Sequence, residues 1–213
     1  MTLYVPEAFA VGERAVVERL AREFPFATIV TPAVPEPAIS HLPLLFVGGP
    51  GGEATLVGHM ARANPHWRAA SGVESIAIFH GPHTYVSPSW YAKPAQAVPT
   101  WSYATAHVHG TLEPVGDAGE AAAILDELVE RFEGGRPEPW RFTMAEPGRS
   151  ALVGAIVAFR MKVRWIELKL KLSQNRPVGD RARVAAALER EGRADGAAVA
   201  AWMRDYSGIA TEG

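Results

Sequence analysis

The chain has 213 residues, 48% of them hydrophobic, and a formal net charge of −2, so it carries one substantial core and no basic stripe of the kind that marks a nucleic-acid binder. It has no cysteine, which excludes disulfides, thiolate catalysis and cysteine-ligated metal. The first residues lack the layout of a secretory signal and no stretch reaches the ~18 apolar residues of a membrane span, so a cytoplasmic protein without a membrane partner is expected.

Glu13 to Glu23 places Ala15, Val16, Val17, Leu20 and Ala21 at helical spacing. Phe26 to Thr31 is rich in strand formers and predicts the first strand. After a turn at Pro32 to Pro37, Ala38 to Val47 predicts a second strand, broken or edged by Pro43. Gly48 to Gly52 predicts a hairpin loop, and it lacks the Lys-Ser/Thr ending of a P-loop. Glu53 to His59 predicts a third strand, and Met60 to Ser71 either a short helix with Pro65 early in it or an irregular turn followed by one.

Ser75 to Phe79 and Thr84 to Ser87 read as strand pieces interrupted by Gly81-Pro82. Trp101 to Leu112 predicts a long strand, with Ser102, Ala104, Ala106, Val108 and Gly110 on one face. Trp101, Tyr103, Thr105, His107 and His109 fall on the other. Glu120 to Glu133 predicts an amphipathic helix, Pro137 to Trp140 a loop, and Ala151 to Val153 the start of a short element. Ala155 to Lys171 predicts a last long strand. Asp180 and Asp195 then stand as N-caps before helices Arg181 to Glu191 and Gly196 to Tyr206. Many strands without βαβ alternation predict a mostly antiparallel barrel with peripheral helices.

All seven histidines lie between positions 41 and 109. His107 and His109 share a strand face, but no acidic residue follows them until Glu113 and no His-Glu-x-x-His helix exists. His41, His107 and His109 are therefore expected as structural or groove-lining residues rather than ligands of a required metal. Gly-x-Ser-x-Gly is absent, which leaves a serine nucleophile unsupported, and no catalytic residue is assigned.

His80 to Tyr91 gathers hydroxyls, aromatics and imidazoles around Pro82 and Pro88, and Trp101-Ser102-Tyr103 repeats the mix. That composition suits either a planar ligand with polar edges or a subunit interface. At the strand-to-helix junction His59 to Trp67, exposed helix-start amides attract anions and Arg62 adds a fork-shaped donor. Asn64 belongs to the same junction. Near the end, Lys169, Lys171, Ser173, Gln174 and Asn175 cluster where the apolar pattern stops. An oxygen-rich anion would suit that group, and so would a plain turn before Pro177; on residue chemistry alone the turn is the stronger reading.

Taken in order, the motifs resemble the PaiB family of FMN-binding negative transcriptional regulators. The matching stretches are Phe24 to Thr31, Ser40-His41-Leu42-Pro43, Gly58 to Trp67, Phe79 to Tyr91, Val98 to Tyr103 and Lys171 to Pro177. The resemblance implies an FMN-binding split barrel, normally a homodimer with flavin in a groove between subunits. It implies that Ser40, His41, Leu42 and Pro43 line the groove, and that Ser87, Ser89, Trp90 and Tyr91 offer phosphate or ribityl contacts. Trp101 would lie near the subunit boundary, and Lys171, Ser173 and Gln174 would close the pocket. Arg62 and Asn64 join this set of expected cofactor residues.

Two positions depart from the family pattern. Leu170 stands where an aromatic residue is common, and Ser89-Trp90-Tyr91 lacks the Arg-Lys pair of the wider oxidase group. DNA as a partner is implied only by the family's regulator label. The split barrel is expected over 1–177, with 178–213 as a helical extension packed on the same domain.

Overall fold

The computed structural model describes residues 2–48 and 53–209. Its strands are β1 (Phe26–Thr31), β2 (Ala38–Pro43), β3 (Leu45–Gly48), β4 (Ala54–Ala61), β5 (Glu74–Val86), β6 (Thr100–Pro114) and β7 (Ile156–Lys171). The helices are α1 (Arg14–Glu23), α2 (His66–Ala70), α3 (Ala118–Glu133), α4 (Gly148–Gly154), α5 (Val178–Glu191) and α6 (Ala194–Tyr206). The strands form one sheet in the order β2-β1-β5-β6-β7-β4-β3. β1 pairs antiparallel with β2 and β5, and β4 pairs antiparallel with β3 and β7. This is a mostly β fold with peripheral and C-terminal helices, as the strand pattern predicted, and of the split-barrel type that the resemblance implied.

The chain divides into two compact units. One comprises Met1–Phe24, His80–His107 and Glu167–Gly213; the other comprises Pro25–Phe79 and Val108–Ile166. In the first, α1 is held locally by the i,i+4 pairs Arg14–Glu18 and Arg19–Glu23, each at 2.7 Å. Its apolar stripe, Val16, Val17, Leu20 and Ala21, is buried. α5 and α6 pack as a helical hairpin whose reversal uses Gly192 at φ 66°, a left-handed cap that glycine adopts without a Cβ clash. The largest fully buried side chain, Trp202, donates from Nε1 to Glu23 at 2.9 Å and meets Phe24 edge to face. The interior of the second unit is Leu45, Val57, Ala121, Ile124, Leu128 and Ala158, where one face of α3 closes over β3, β4 and β7.

Three expectations are revised. The second predicted strand is two, β2 and β3, separated at Leu44 just after Pro43. The two pieces around Gly81-Pro82 are one strand. Buried positions run Ser75, Ala77, Phe79, Gly81 and then Pro82, Thr84, Val86, so the pair shifts the phase of alternation without ending the strand. A Cβ on Gly81 would come within 2.4 Å of Leu20 Cδ1 and 2.9 Å of the Ala104 carbonyl, a close approach that only glycine permits. Finally, Pro177 and Arg193, not Asp180 and Asp195, occupy the N-cap positions; both acids sit in the first turns. Asp180 instead accepts from the Ala92 N–H at 2.8 Å. The tip of the predicted Gly48 to Gly52 loop lies outside the described residues.

Gly110, by contrast, is fixed by its neighbour on β7: a Cβ there would stand 2.1 Å from the Lys162 carbonyl oxygen. Gly110→Ala should therefore cost at least about 2 kcal/mol of unfolding free energy. Gly116→Ala, where nothing lies within 4 Å, should cost much less. Urea denaturation of the two variants makes the comparison.

Candidate functional site

The second unit carries a cleft of about 520 Å³ between β2 and β4. Its lining includes Ser40, His41, Leu42 and Pro43 from β2, His59 and Met60 from β4, and Asn64 from the turn after β4. The turn is built by Asn64 itself. Its Oδ1 accepts the His66 backbone N–H at 3.0 Å, the local side-chain turn that asparagine favours. Its Nδ2 donates to Ser40 Oγ at 2.9 Å. His66, almost fully buried, contacts Ser40 Oγ through Nδ1 at 2.8 Å and Thr31 Oγ1 through Nε2 at 2.9 Å. Thr31 Oγ1 in turn meets Ser75 Oγ at 2.6 Å. The polar atoms of the cleft are thus anchored from beneath by interior side chains on β1, α2 and β5.

His59 is different. Its Nδ1 is, among the described residues, the one buried side-chain nitrogen or oxygen with no hydrogen-bond partner. Leaving such an atom unsatisfied costs about 1–3 kcal/mol. Gly58 beside it has no room for a side chain: a Cβ would lie 2.8 Å from Leu44 and 3.1 Å from the Pro43 carbonyl. That close approach sets the width of the cleft where β2 ends.

Arg62 does not join this cleft. Its guanidinium donates to the carbonyls of Gly154 and Ile156, the latter at 2.7 Å, and lines a separate concavity beside α3 and α4. His41 lines the cleft and shares a hydrogen bond with Thr28 Oγ1 at 2.9 Å.

The first unit carries a smaller concavity of about 190 Å³, lined by Tyr91, Thr100, Trp101, Ser102, Lys171, Ser173 and Arg176 among others. Lys171 Nζ donates to Thr100 Oγ1 at 2.6 Å, and the Arg176 guanidinium lies 4.9 Å from the centre of the Tyr91 ring. Ser173 is held at φ 66°, in the left-handed region that a non-glycine residue occupies at a cost. Gln174 faces the turn and not the concavity: Oε1 accepts from the Leu172 N–H and Nε2 donates to the Leu170 carbonyl, both at 2.7 Å. Ser87 and Ser89 bond to each other at 2.8 Å, and Ser87 caps the short turn Pro88–Trp90. Leu170 is fully buried, so a ring at this position would face the core in this chain.

The structure therefore separates the expected residues. Ser40, His41, Leu42, Pro43 and Asn64 share the cleft, and Tyr91, Trp101, Lys171 and Ser173 share the concavity. Arg62, Ser87, Ser89, Trp90 and Gln174 line neither. Sequence reasoning did not select His59, His66, Thr100 or Arg176. The histidine pair also needs revision. β7 brings a carboxylate that sequence spacing concealed: a Glu167 oxygen lies within 4.8 Å of a His107 ring nitrogen, and the Thr2 hydroxyl bonds to both side chains. His109 stacks on Trp165 with ring centres 3.5 Å apart.

A split barrel whose cleft is walled by β-strand residues and anchored hydroxyl, amide and imidazole groups defines the class of flavin-binding split-barrel proteins. The chain belongs to the PaiB family: residues 3–165 match the family described as a putative FMN-binding domain. It is 34% identical over 206 residues to the Bacillus subtilis protein named protease synthase and sporulation protein PAI 2, covering 95% of this chain and 97% of that one. Two solved structures share the fold. The FAD and heme binding protein from Mycobacterium smegmatis aligns with a TM-score of 0.58 at 22% identity, over 76% of this chain and 72% of that one. The flavocytochrome Anf3 from Azotobacter vinelandii aligns with a TM-score of 0.61 at 14% identity, over 78% and 72%.

The residues present fit FMN, the cofactor of this family. A flavin ring edge alternates hydrogen-bond donors and acceptors, and the cleft offers Ser40, Asn64 and the unpartnered His59 Nδ1 beside apolar Leu42, Pro43 and Met60. Separately, the concavity of the first unit holds cationic and hydroxyl donors, Lys171, Arg176, Ser173 and Thr100, of the kind an oxygen-rich anion requires.

Burial holds the His59 and His66 imidazoles below the ordinary histidine pKa. The unfolded chain then takes up protons first as pH falls. The stability that depends on neutral imidazoles is complete above about pH 6.5 and is lost progressively below it. The urea midpoint should drop between pH 8 and pH 5.5, and His66→Gln should show a shallower drop from a lower starting value.

Proposed function

We propose that this chain is an FMN-binding regulatory protein, with the ring edge of the flavin held in the cleft between β2 and β4. The observation that carries the reading is the arrangement at Ser40 and Asn64, whose polar atoms are fixed by the interior while the neighbouring His59 Nδ1 has no partner. A site whose groups are already ordered loses little entropy when a ligand enters. The bound flavin supplies the redox chemistry, and the protein supplies orientation and hydrogen bonds. In the first unit, taken by itself, Lys171, Ser173 and Arg176 are donors of the kind a phosphate requires.

A regulatory role is favoured by the name of the Bacillus subtilis relative, which connects it with protease synthesis and sporulation. A homodimer is proposed on the exposed aromatic cluster of the first unit. Trp101 is 54% and Tyr85 44% exposed, and their rings meet edge to face beside His83. Isologous pairing would bury that patch twice. Direct DNA contact by the terminal helices is the less favoured mode of regulation. Arg204 is paired with Glu189, Arg19 with Asp205, and Arg181 donates to backbone carbonyls. Arginines committed in this way contribute little to a phosphate-binding stripe.

The purified protein should bind FMN, seen as quenching of flavin fluorescence and a shifted absorbance band. Lys171→Ala should weaken binding by about 1.5–3 kcal/mol, the range for a hydrogen bond to a charged group. Unchanged affinity would remove the phosphate from Lys171. Catalytic reduction of the flavin by a nicotinamide cofactor would favour an oxidoreductase instead, and a salt-dependent DNA mobility shift would restore the DNA-binding reading.

Light scattering at micromolar concentration should give twice the mass of the chain. A monomer mass would rule out the dimer.

A further inference from the structure

Asn64 fixes one end of the hydrogen-bond chain beneath the cleft. Because its Oδ1 accepts the His66 backbone N–H, the amide cannot be flipped, and its NH2 must be the donor to Ser40 Oγ. Ser40 Oγ also contacts His66 Nδ1, His66 Nε2 contacts Thr31 Oγ1, Thr31 Oγ1 contacts Ser75 Oγ, and the Ser75 hydroxyl reaches the Val73 carbonyl at 3.3 Å. Each hydroxyl, and the neutral imidazole, has one proton to place.

Two arrangements satisfy these contacts. In the inward one, Ser40 donates to Nδ1, Nε2–H donates to Thr31, Thr31 to Ser75, and Ser75 to the Val73 carbonyl. Every proton in the chain then has an acceptor. In the outward one, Nδ1–H donates to Ser40, Thr31 donates to Nε2, and Ser75 donates to Thr31. The Ser40 proton is left for whatever occupies the cleft, and Val73 loses its partner. No proton is gained or lost between them: the hydroxyls rotate and the imidazole exchanges Nε2–H for Nδ1–H. In the outward arrangement the Ser75–Val73 bond is lost and the Ser40 proton passes to solvent, and that internal bond favours the inward arrangement until a better-placed acceptor enters the cleft.

We propose that His66 is a positioning residue that turns the Ser40 hydroxyl toward a ligand bearing a carbonyl or ring-nitrogen acceptor, reversing the Ser40–His66–Thr31–Ser75 chain as that ligand enters. The inference rests on the flavin reading of the cleft and adds to it a preference for acceptor-edged heterocycles over donor-edged ones. It also makes the buried Thr31 and Ser75, which do not line the cleft, determinants of affinity. Removing either hydroxyl deprives the inward arrangement of an acceptor and leaves the outward one less affected.

The test uses the full chain labelled with nitrogen-15 histidine, with His66 assigned by comparison with His66→Gln. Without ligand, the imidazole nitrogens should report the Nε2–H tautomer. Saturating FMN should convert His66 to Nδ1–H. Thr31→Val and Ser75→Ala should each show Nδ1–H without any ligand and bind FMN about threefold more tightly, since the competent arrangement is already populated. Two variants keep the test available if one fails to fold.

An Nδ1–H tautomer in the ligand-free wild type overturns the proposal, as do variants that keep Nε2–H. FMN that binds without moving the His66 resonances overturns it and leaves the cofactor reading standing. FMN that does not bind at all overturns the cofactor reading, while the ligand-free tautomers still decide the direction of the chain.

Discussion

The contact between His66 and Ser40 organises the floor of the cleft. It joins α2 to β2 at 2.8 Å, and the other ring nitrogen joins α2 to β1 at 2.9 Å. A five-residue helix has too few internal hydrogen bonds to hold its own orientation in water. A buried imidazole bonded at both nitrogens supplies that orientation, and burial keeps it uncharged. An uncharged ring matters because a buried imidazolium would donate from both nitrogens, so that neither Ser40 nor Thr31 could donate to the ring. The same imidazole therefore fixes the helix, the turn that Asn64 forms, and the polar floor of the cleft.

Much of the fold was legible in the sequence. β1 was predicted residue for residue, because Phe26-Ala27-Thr28-Ile29-Val30-Thr31 alternates exposed or half-buried with buried positions throughout. β6 was legible for the same reason, with alternation that holds from Ser102 to Val108, whereas β7 was found as a long run of strand formers although Val157-Ala158-Phe159 and Leu168-Lys169-Leu170 are each buried in a row. The misreading at Gly81-Pro82 came from treating two turn-formers as a break. Glycine was required by the approach of Leu20 and Ala104, residues distant in sequence, and that packing carries no local signal. The N-caps failed similarly. Asp180 is drawn to the Ala92 N–H in another part of the chain, so its carboxylate is not free to cap its own helix.

The candidate site was legible in part. Ser40 to Pro43 and Asn64 were found, because hydroxyl and amide groups interrupting strand patterns stand out. His66 left a usable trace: asparagine two residues before it, with proline between, is the pattern of a side-chain turn that pins the second residue's N–H. Arg62, Ser87, Ser89 and Gln174 show the limit of reading chemistry from residue type. All have the donors a phosphate requires, and all spend them on protein: Arg62 on two carbonyls, the serines on each other, and Gln174 on its own turn. Conversely, Arg176 reads as part of a plain Asn-Arg-Pro turn, and only its packing over Tyr91, far off in sequence, brings it to the concavity.

These commitments indicate how the protein divides its polar groups. Charged donors are consumed within the protein, some on carboxylates, as Arg160 and Arg204 are, and some on backbone carbonyls, as Arg62 and Arg181 are. The cleft itself is left to neutral groups, Ser40, Asn64 and His59. A neutral lining cannot attract an ion over distance, but it loses little when an uncharged heterocycle displaces water from it. Discrimination then depends on matching donors to acceptors, where an unmatched buried group costs about 1–3 kcal/mol. His59 Nδ1 is such an unmatched group at the wall of the cleft, and a neutral imidazole nitrogen is met by a donor or by an acceptor according to its tautomer. A ligand edge that supplies its partner recovers that cost, and on the proposed reading Ser40 in its outward arrangement sets a donor in the same cleft. Matching of this kind, more than net charge, would then set the selectivity of the cleft.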